Sequence, residues 1–113
     1  MRPEKLFLMD IVEAADYIAQ FIAEVDYHDF LTDELRKSAV LKKVEVIGEA
    51  IKNIPKDFLP HHSEIDWSGF ARMRDRTVHG YFGVNYSIVW ETVTQEIPLL
   101  REQVAEILAQ EFE

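Results

Sequence analysis

Residues 3–25 read PEKLFLMDIVEAADYIAQFIAEV, and within them Leu8, Ile11, Ala15, Ile18, Ile22 and Val25 recur at alternating spacings of three and four. That spacing puts all six on one stripe of an α-helix and on neither face of a strand. Pro3 suits a first turn, where no intrahelical N–H is needed. A first helix is therefore predicted from Pro3 to Val25.

The same period continues outward from this stretch. After a linker from Asp26 to Leu31, Thr32 is the expected N-cap of a second helix, with Asp33 and Glu34 in its positively polarised first turn. Leu35, Leu41, Val44, Ile47 and Ile51 form its apolar stripe, and it must stop before Pro55. Its other face carries Arg36, Lys37, Lys42 and Lys43. Residues 55–65, PKDFLPHHSEI, hold two prolines and no period, so a loop is expected. Asp66 or Ser63 can cap a third helix running from Trp67 to about Gly80, a natural residue to end on. Asn85 can cap the last helix, whose stripe is Ile88, Val89, Val93, Ile97, Leu100, Val104 and Ile107, with a kink or restart at Pro98. No alternating strand pattern occurs. The expected fold is all-α, an antiparallel bundle of four to five helices.

With 113 residues, the chain can bury one sizeable core, so a single domain over 1–113 is expected. A hydrophobic share of 48% with 29% charged residues argues against disorder. Cysteine is absent, which excludes disulfides, thiolate metal sites and cysteine nucleophiles. The apolar run near the start is broken by Asp10 and is too short for a signal peptide or a membrane span, so a cytoplasmic protein is expected. The net charge of −9 is uneven: residues 1–34 carry −7, 35–56 carry +4, 57–84 carry −1 and 85–113 carry −5. A polyanion would have to approach the middle of the chain, while the acidic ends suit a basic protein partner.

The third helix holds the anomaly. At about 100° per residue, Trp67, Phe70, Ala71, Thr77, Val78 and Tyr81 fall on one face about 120° wide, with Arg74 in its middle. Arg72, Arg76 and His79 gather on the opposite side, and Asp75 lies between. A guanidinium in an apolar interior needs a partner, a water channel or a subunit boundary. The plainest reading pairs Arg74 with a carboxylate from the first or last helix. His79 by itself reads as a surface or cap histidine, and Tyr81 as a core aromatic with its hydroxyl at the rim.

Together, however, Arg74-Asp-Arg-Thr-Val-His79-Gly-Tyr81 matches the arginine, any four, histidine, any one, tyrosine signature of HEPN domains. The stretches MRDRTVHGYFGVNYSIVWETV (73–93) and AVLKKVEVIGEAIKNIP (39–55) resemble the HepT-like branch, so the resemblance spans nearly the whole chain. It implies a metal-independent ribonuclease that is the toxin of a toxin–antitoxin pair and needs no cofactor. The usual partner in that family is an MntA-type nucleotidyltransferase, which can attach AMP to the motif tyrosine. The resemblance further implies a homodimer, in which the motif arginine and histidine of two subunits meet in a cleft. On motif position, Arg74 and His79 are the candidate catalytic residues and Tyr81 the candidate modified one. Asp75, Arg72, Arg76, Lys42 and Lys43 are candidate supporting or RNA-contacting residues. Many relatives carry another polar residue, often asparagine, where Asp75 stands. Asp75 either weakens phosphate binding or orients His79 one turn along.

The chemistry is adequate without the family. Cleaving RNA without a metal needs a base for the ribose 2′-hydroxyl, charge stabilisation and an acid for the leaving oxygen. His79 can exchange protons near neutral pH, and Arg74 can donate two hydrogen bonds to phosphate while keeping its charge. Residues five apart on a straight helix point about 140° from each other. Either the helix ends before His79, or the site is assembled across a two-fold axis. Other motifs weigh less. His61, His62 and Glu64 lack a metal-ligand spacing, no glycine-rich phosphate loop is present, and Asp10, Glu13 and Asp16 read as a solvated face. The alternative function is a non-catalytic helical adaptor that serves a nucleotidyltransferase by binding its substrate or holding it in place.

Overall fold

The computed structural model describes residues 3–79 and 83–112, the side chains of residues 77–79 excepted. Its helices are α1 (Pro3–Ile22), α2 (Tyr27–Thr32), α3 (Glu34–Asn53), α4 (Trp67–His79), α5 (Tyr86–Glu91) and α6 (Ile97–Glu111). A single π-helical turn, Thr92–Glu96, joins α5 to α6 into one rod, and a 3₁₀ turn spans Leu59–His62. The described residues contain no strand, and the chain is an all-α, HEPN-like bundle.

Helix α1 is packed between α3 and α6, and α3 carries α4 on its far side. The core runs along these seams through Leu8, Ile11, Ile18, Val40, Ile47, Leu100 and Val104, all essentially inaccessible to solvent. The expected α1 stripe is thus the buried one as far as Ile18. The helix stops at Ile22, three residues earlier than predicted, because Glu24 takes a left-handed φ of 62°.

The predicted linker 26–31 is instead the helix α2. The Asp26 carboxylate accepts from the Asp29 amide at 2.8 Å and starts it, and the Thr32 hydroxyl donates to the His28 carbonyl at 3.2 Å and closes it. Thr32 therefore does not cap the next helix. Asp33 does, accepting from the Arg36 amide at 3.0 Å. This extra turn places Phe30 fully inside, against Trp90 at 5.1 Å between ring centroids. Leu35, expected in the stripe of α3, is 83% exposed, and Val40 takes the buried position in its place.

The loop before α4 also hides apolar anchors, since Phe58 and Ile65 are buried. Asp66 is the cap of α4: its carboxylate accepts from the Gly69 amide at 3.1 Å. Asn85 caps α5 as expected, accepting from the Ser87 and Ile88 amides. The disturbance expected at Pro98 is relieved just upstream. Proline has no N–H for the Thr94 carbonyl and its ring crowds it, so the backbone widens into the π-turn. The hydroxyls of Thr92 and Thr94 bond back to the Ile88 and Trp90 carbonyls at 2.8 and 2.7 Å through this stretch.

Candidate functional site

The anomalous arginine lies at a seam. Trp67 is buried and Phe70 and Ala71 are partly buried against the core, so the first part of the predicted apolar face of α4 turns inward, joined by Met73; Thr77 and Val78 of that face have side chains outside the described residues. Arg74 sits within the inward part, where α4 crosses α3 at Gly48. A Cβ added at Gly48 would overlap the Arg74 Cβ and come within 3.2 Å of the Phe70 carbonyl oxygen. Glycine in this helix interior therefore marks a close helix approach.

The Arg74 side chain is 21% exposed, and its guanidinium is met by two carboxylates. Nη2 lies 3.1 Å from Glu49 Oε2, and Nη1 donates to Asp75 Oδ1 at 3.2 Å. Lys52 Nζ donates to the same Asp75 oxygen at 3.0 Å. The Lys52 ammonium first, and the Arg74 guanidinium second, hold the Asp75 carboxyl below the usual range. The carboxylate partner expected from the first or last helix thus comes from α3. Glu49 and Lys52 went unnoticed in the sequence, although their i, i+3 spacing beside Gly48 is a signal of one shared face. Asp75 joins the two helices electrostatically.

On the outer side of Arg74 a groove opens between α1 and α3. Phe7, Val46 and Ala50 form its apolar wall, and Asp10, Lys42, Glu45, Glu49, Asn53 and Arg74 its polar one. Of the basic candidates, only Lys42 shares this groove with Arg74. Lys43 lies over the Tyr17 ring at 4.5 Å, Arg72 donates to the Ser68 hydroxyl at 3.2 Å, and Arg76 is exposed. Two more residues of the predicted basic face of α3 are otherwise engaged. Lys37 is buried, paired with Glu34 at 2.7 Å and set 4.5 Å from the Tyr86 ring centroid, and Arg36 donates to the Phe21 carbonyl at 2.6 Å. His79 is the last residue of α4, but its side chain lies outside the described residues, as does Tyr81 entirely.

The loop histidines are separated rather than convergent. His61 is exposed, and His62 faces Glu111 at 2.8 Å and Glu64 at 3.8 Å. Among the described residues no group of three or more His, Asp or Glu side chains could hold a metal. The predicted solvated face of α1 is solvated only in part, because Asp16 accepts from Arg101. No helix among the described residues is long and apolar enough to cross a membrane.

An all-α bundle with an arginine at the α3–α4 seam and a histidine closing the same helix defines a HEPN-like domain. The chain belongs to the HepT-like family, described as "Ribonuclease HepT-like", whose model matches residues 11–107. It is 47% identical over 100 residues to "Probable ribonuclease HepT" of Thermococcus cleftensis, covering 88% of this chain and 91% of that one. It is 40% identical over 111 residues to a protein of Caldanaerobacter subterraneus subsp. tengcongensis named "Putative RNase TTE0752", covering 98% and 99% respectively. No solved structure gives a significant match.

Proposed function

We propose that the chain is a metal-independent endoribonuclease, the toxin of a toxin–antitoxin pair, acting in the cytoplasm as a homodimer. The observation that carries this reading is Arg74 itself. It is a permanently charged fork on an otherwise apolar helix face, held at the rim of a groove, with His79 five residues along the same helix.

RNA supplies its own nucleophile, which is why no metal is required. The 2′-hydroxyl oxygen attacks the adjacent phosphorus, the bond to the 5′-oxygen breaks, and the proton passes to that leaving oxygen. His79 serves as the proton carrier, and Arg74 donates to the non-bridging oxygens as their charge grows. Two side chains five apart on one helix diverge by about 140°. The reading therefore draws Arg74 and His79 of one reaction centre from two copies of the chain. Family membership supports the partner: an MntA-type nucleotidyltransferase that attaches AMP to Tyr81 would add bulk and a negative phosphate to the motif and so oppose RNA.

One set of measurements tests the whole reading. Purified protein, sedimenting at about twice the chain mass, should cleave RNA with a chelator present. His79→Ala should lose cleavage with its helical content intact. Tyr81→Phe should keep much of the activity yet gain no adenylyl mass from the partner and ATP. Loss of cleavage with chelator overturns the metal-free mechanism. RNA binding without any cleavage favours the adaptor reading instead.

A further inference from the structure

We infer that Glu49 occupies the phosphate seat of Arg74, and that an RNA phosphodiester binds there by displacing this carboxylate. The inference rests on the ribonuclease reading of the site and adds a built-in competitor to it.

A guanidinium presents a planar fork that carboxylate and phosphate oxygens satisfy in the same way. In this chain the fork is already shared by two carboxylates, at 3.1 and 3.2 Å. The Arg74 Nε is shut off from solvent, so a phosphate that grips the fork with two oxygens comes to the Nη1–Nη2 edge and takes the place of one of them. Asp75 is the poorer candidate to leave: it has the shorter side chain, it follows Arg74 directly in the chain, and Lys52 holds the same oxygen at 3.0 Å. Glu49 differs on each count. Its side chain is 52% exposed, it is one methylene longer, and among the described residues its only ion pair is with Arg74.

The surroundings favour the exchange. Glu49 lines the groove, so its carboxylate can turn outward into water as the phosphate enters. Lys42 lines the same groove, and its ammonium attracts an incoming anion against the repulsion of Asp10 and Glu45 there. The displaced contact is weak, since a half-exposed ion pair accounts for at most about fivefold in an equilibrium constant. Glu49 thus keeps the Arg74 charge matched while the site is empty, at small cost to binding.

The test compares Glu49→Gln with Glu45→Gln, which removes the same charge from the same groove. Binding of a fluorescein-labelled, 2′-O-methyl oligoribonucleotide of mixed sequence, which cannot be cleaved, is followed by anisotropy. Glu49→Gln should bind about two- to fivefold more tightly than wild type, with a smaller gain for Glu45→Gln. In an Arg74→Ala background, Glu49→Gln should add nothing more than Glu45→Gln adds there. Three results overturn the proposal: no gain in Glu49→Gln, equal gains in the two variants, or a full gain that persists without Arg74. Wild-type protein that binds RNA independently of Arg74 overturns the ribonuclease reading of this site together with the proposal. Wild-type binding that depends on Arg74 but ignores Glu49 overturns the proposal alone.

Discussion

Two arginines in this bundle reach across a helix seam to a carboxylate, and they are bound in different ways. Arg101 on α6 meets Asp16 on α1 fork to fork, Nε to Oδ1 at 2.9 Å and Nη2 to Oδ2 at 3.4 Å. Asp16 thereby holds the Arg101 proton more tightly than usual. Arg74 on α4 divides its fork, giving one nitrogen to Glu49 and another to Asp75. The Arg101 Nη1 also reaches Glu102 on its own helix at 3.4 Å, but the two-pronged contact to Asp16 is the one that clasps helix to helix. A fork divided between two single contacts lets one anion leave while the other stays. Both arginines border a groove, but Arg74 shares its groove with Lys42 and its helix with His79, whereas Arg101 joins two acidic helices.

The sharpest way to break this contrast is to remove each arginine. Arg74→Ala should reduce RNA cleavage by about a hundredfold or more, the scale seen when a donor to a developing oxyanion is lost. Arg101→Ala should leave cleavage near the wild-type rate and lower unfolding stability by no more than about 1 kcal/mol, because the pair is partly exposed. Cleavage assays beside urea unfolding curves would decide. Equal loss of activity in both variants would mean that Arg74, too, acts only as a clasp.

A smaller effect is expected at the crossing point. Alanine in place of glycine within a helix normally stabilises by up to about 1 kcal/mol. At Gly48 the added carbon would overlap the base of the Arg74 side chain, which cannot rotate away. Gly48→Ala should therefore destabilise by about 1–3 kcal/mol and lower cleavage by shifting Arg74. A urea midpoint above that of wild type would show that the α3–α4 seam has room to spare.

Much of this was legible in the sequence, for identifiable reasons. The α1 stripe, the Asn85 cap and the inward face of α4 are local patterns, and local patterns survive folding. Arg74 stood out because a charge in an apolar stripe violates the helical period. Its partner did not, because Glu49 lies 25 positions away and the period says nothing about which helix lies opposite. Helix α2 was missed because six residues are too few to show a period, although aspartates at 26 and 33 bracket it as caps. Leu35 was misassigned because one apolar residue at a helix start fits any stripe. The family signature reached further than the physics, since it nominated His79 and Tyr81 from position alone.

The smallest expected effect separates the two arginine sites by pH. Asp75 is held ionised by Lys52 and Arg74, so its folded pKa lies below its unfolded value of about 3.9. A carboxyl shifted in that direction adds stability that is fully present above the unfolded pKa and is lost as pH falls through the lower folded value. Near neutral pH the Asp75 charge is therefore constant, and a change in cleavage rate there must come from another group, for which His79 is the candidate. Asp75→Asn cannot titrate, so the stability gap between it and wild type should be steady from pH 7 to about 5. The gap should then narrow as the solution is taken below about pH 4. Urea midpoints of both proteins across that range provide the check, with the other carboxylates cancelling in the difference. A gap that stays constant to low pH would mean that Asp75 gains nothing from its two cations. The divided fork at Arg74 would then rest on Glu49 alone.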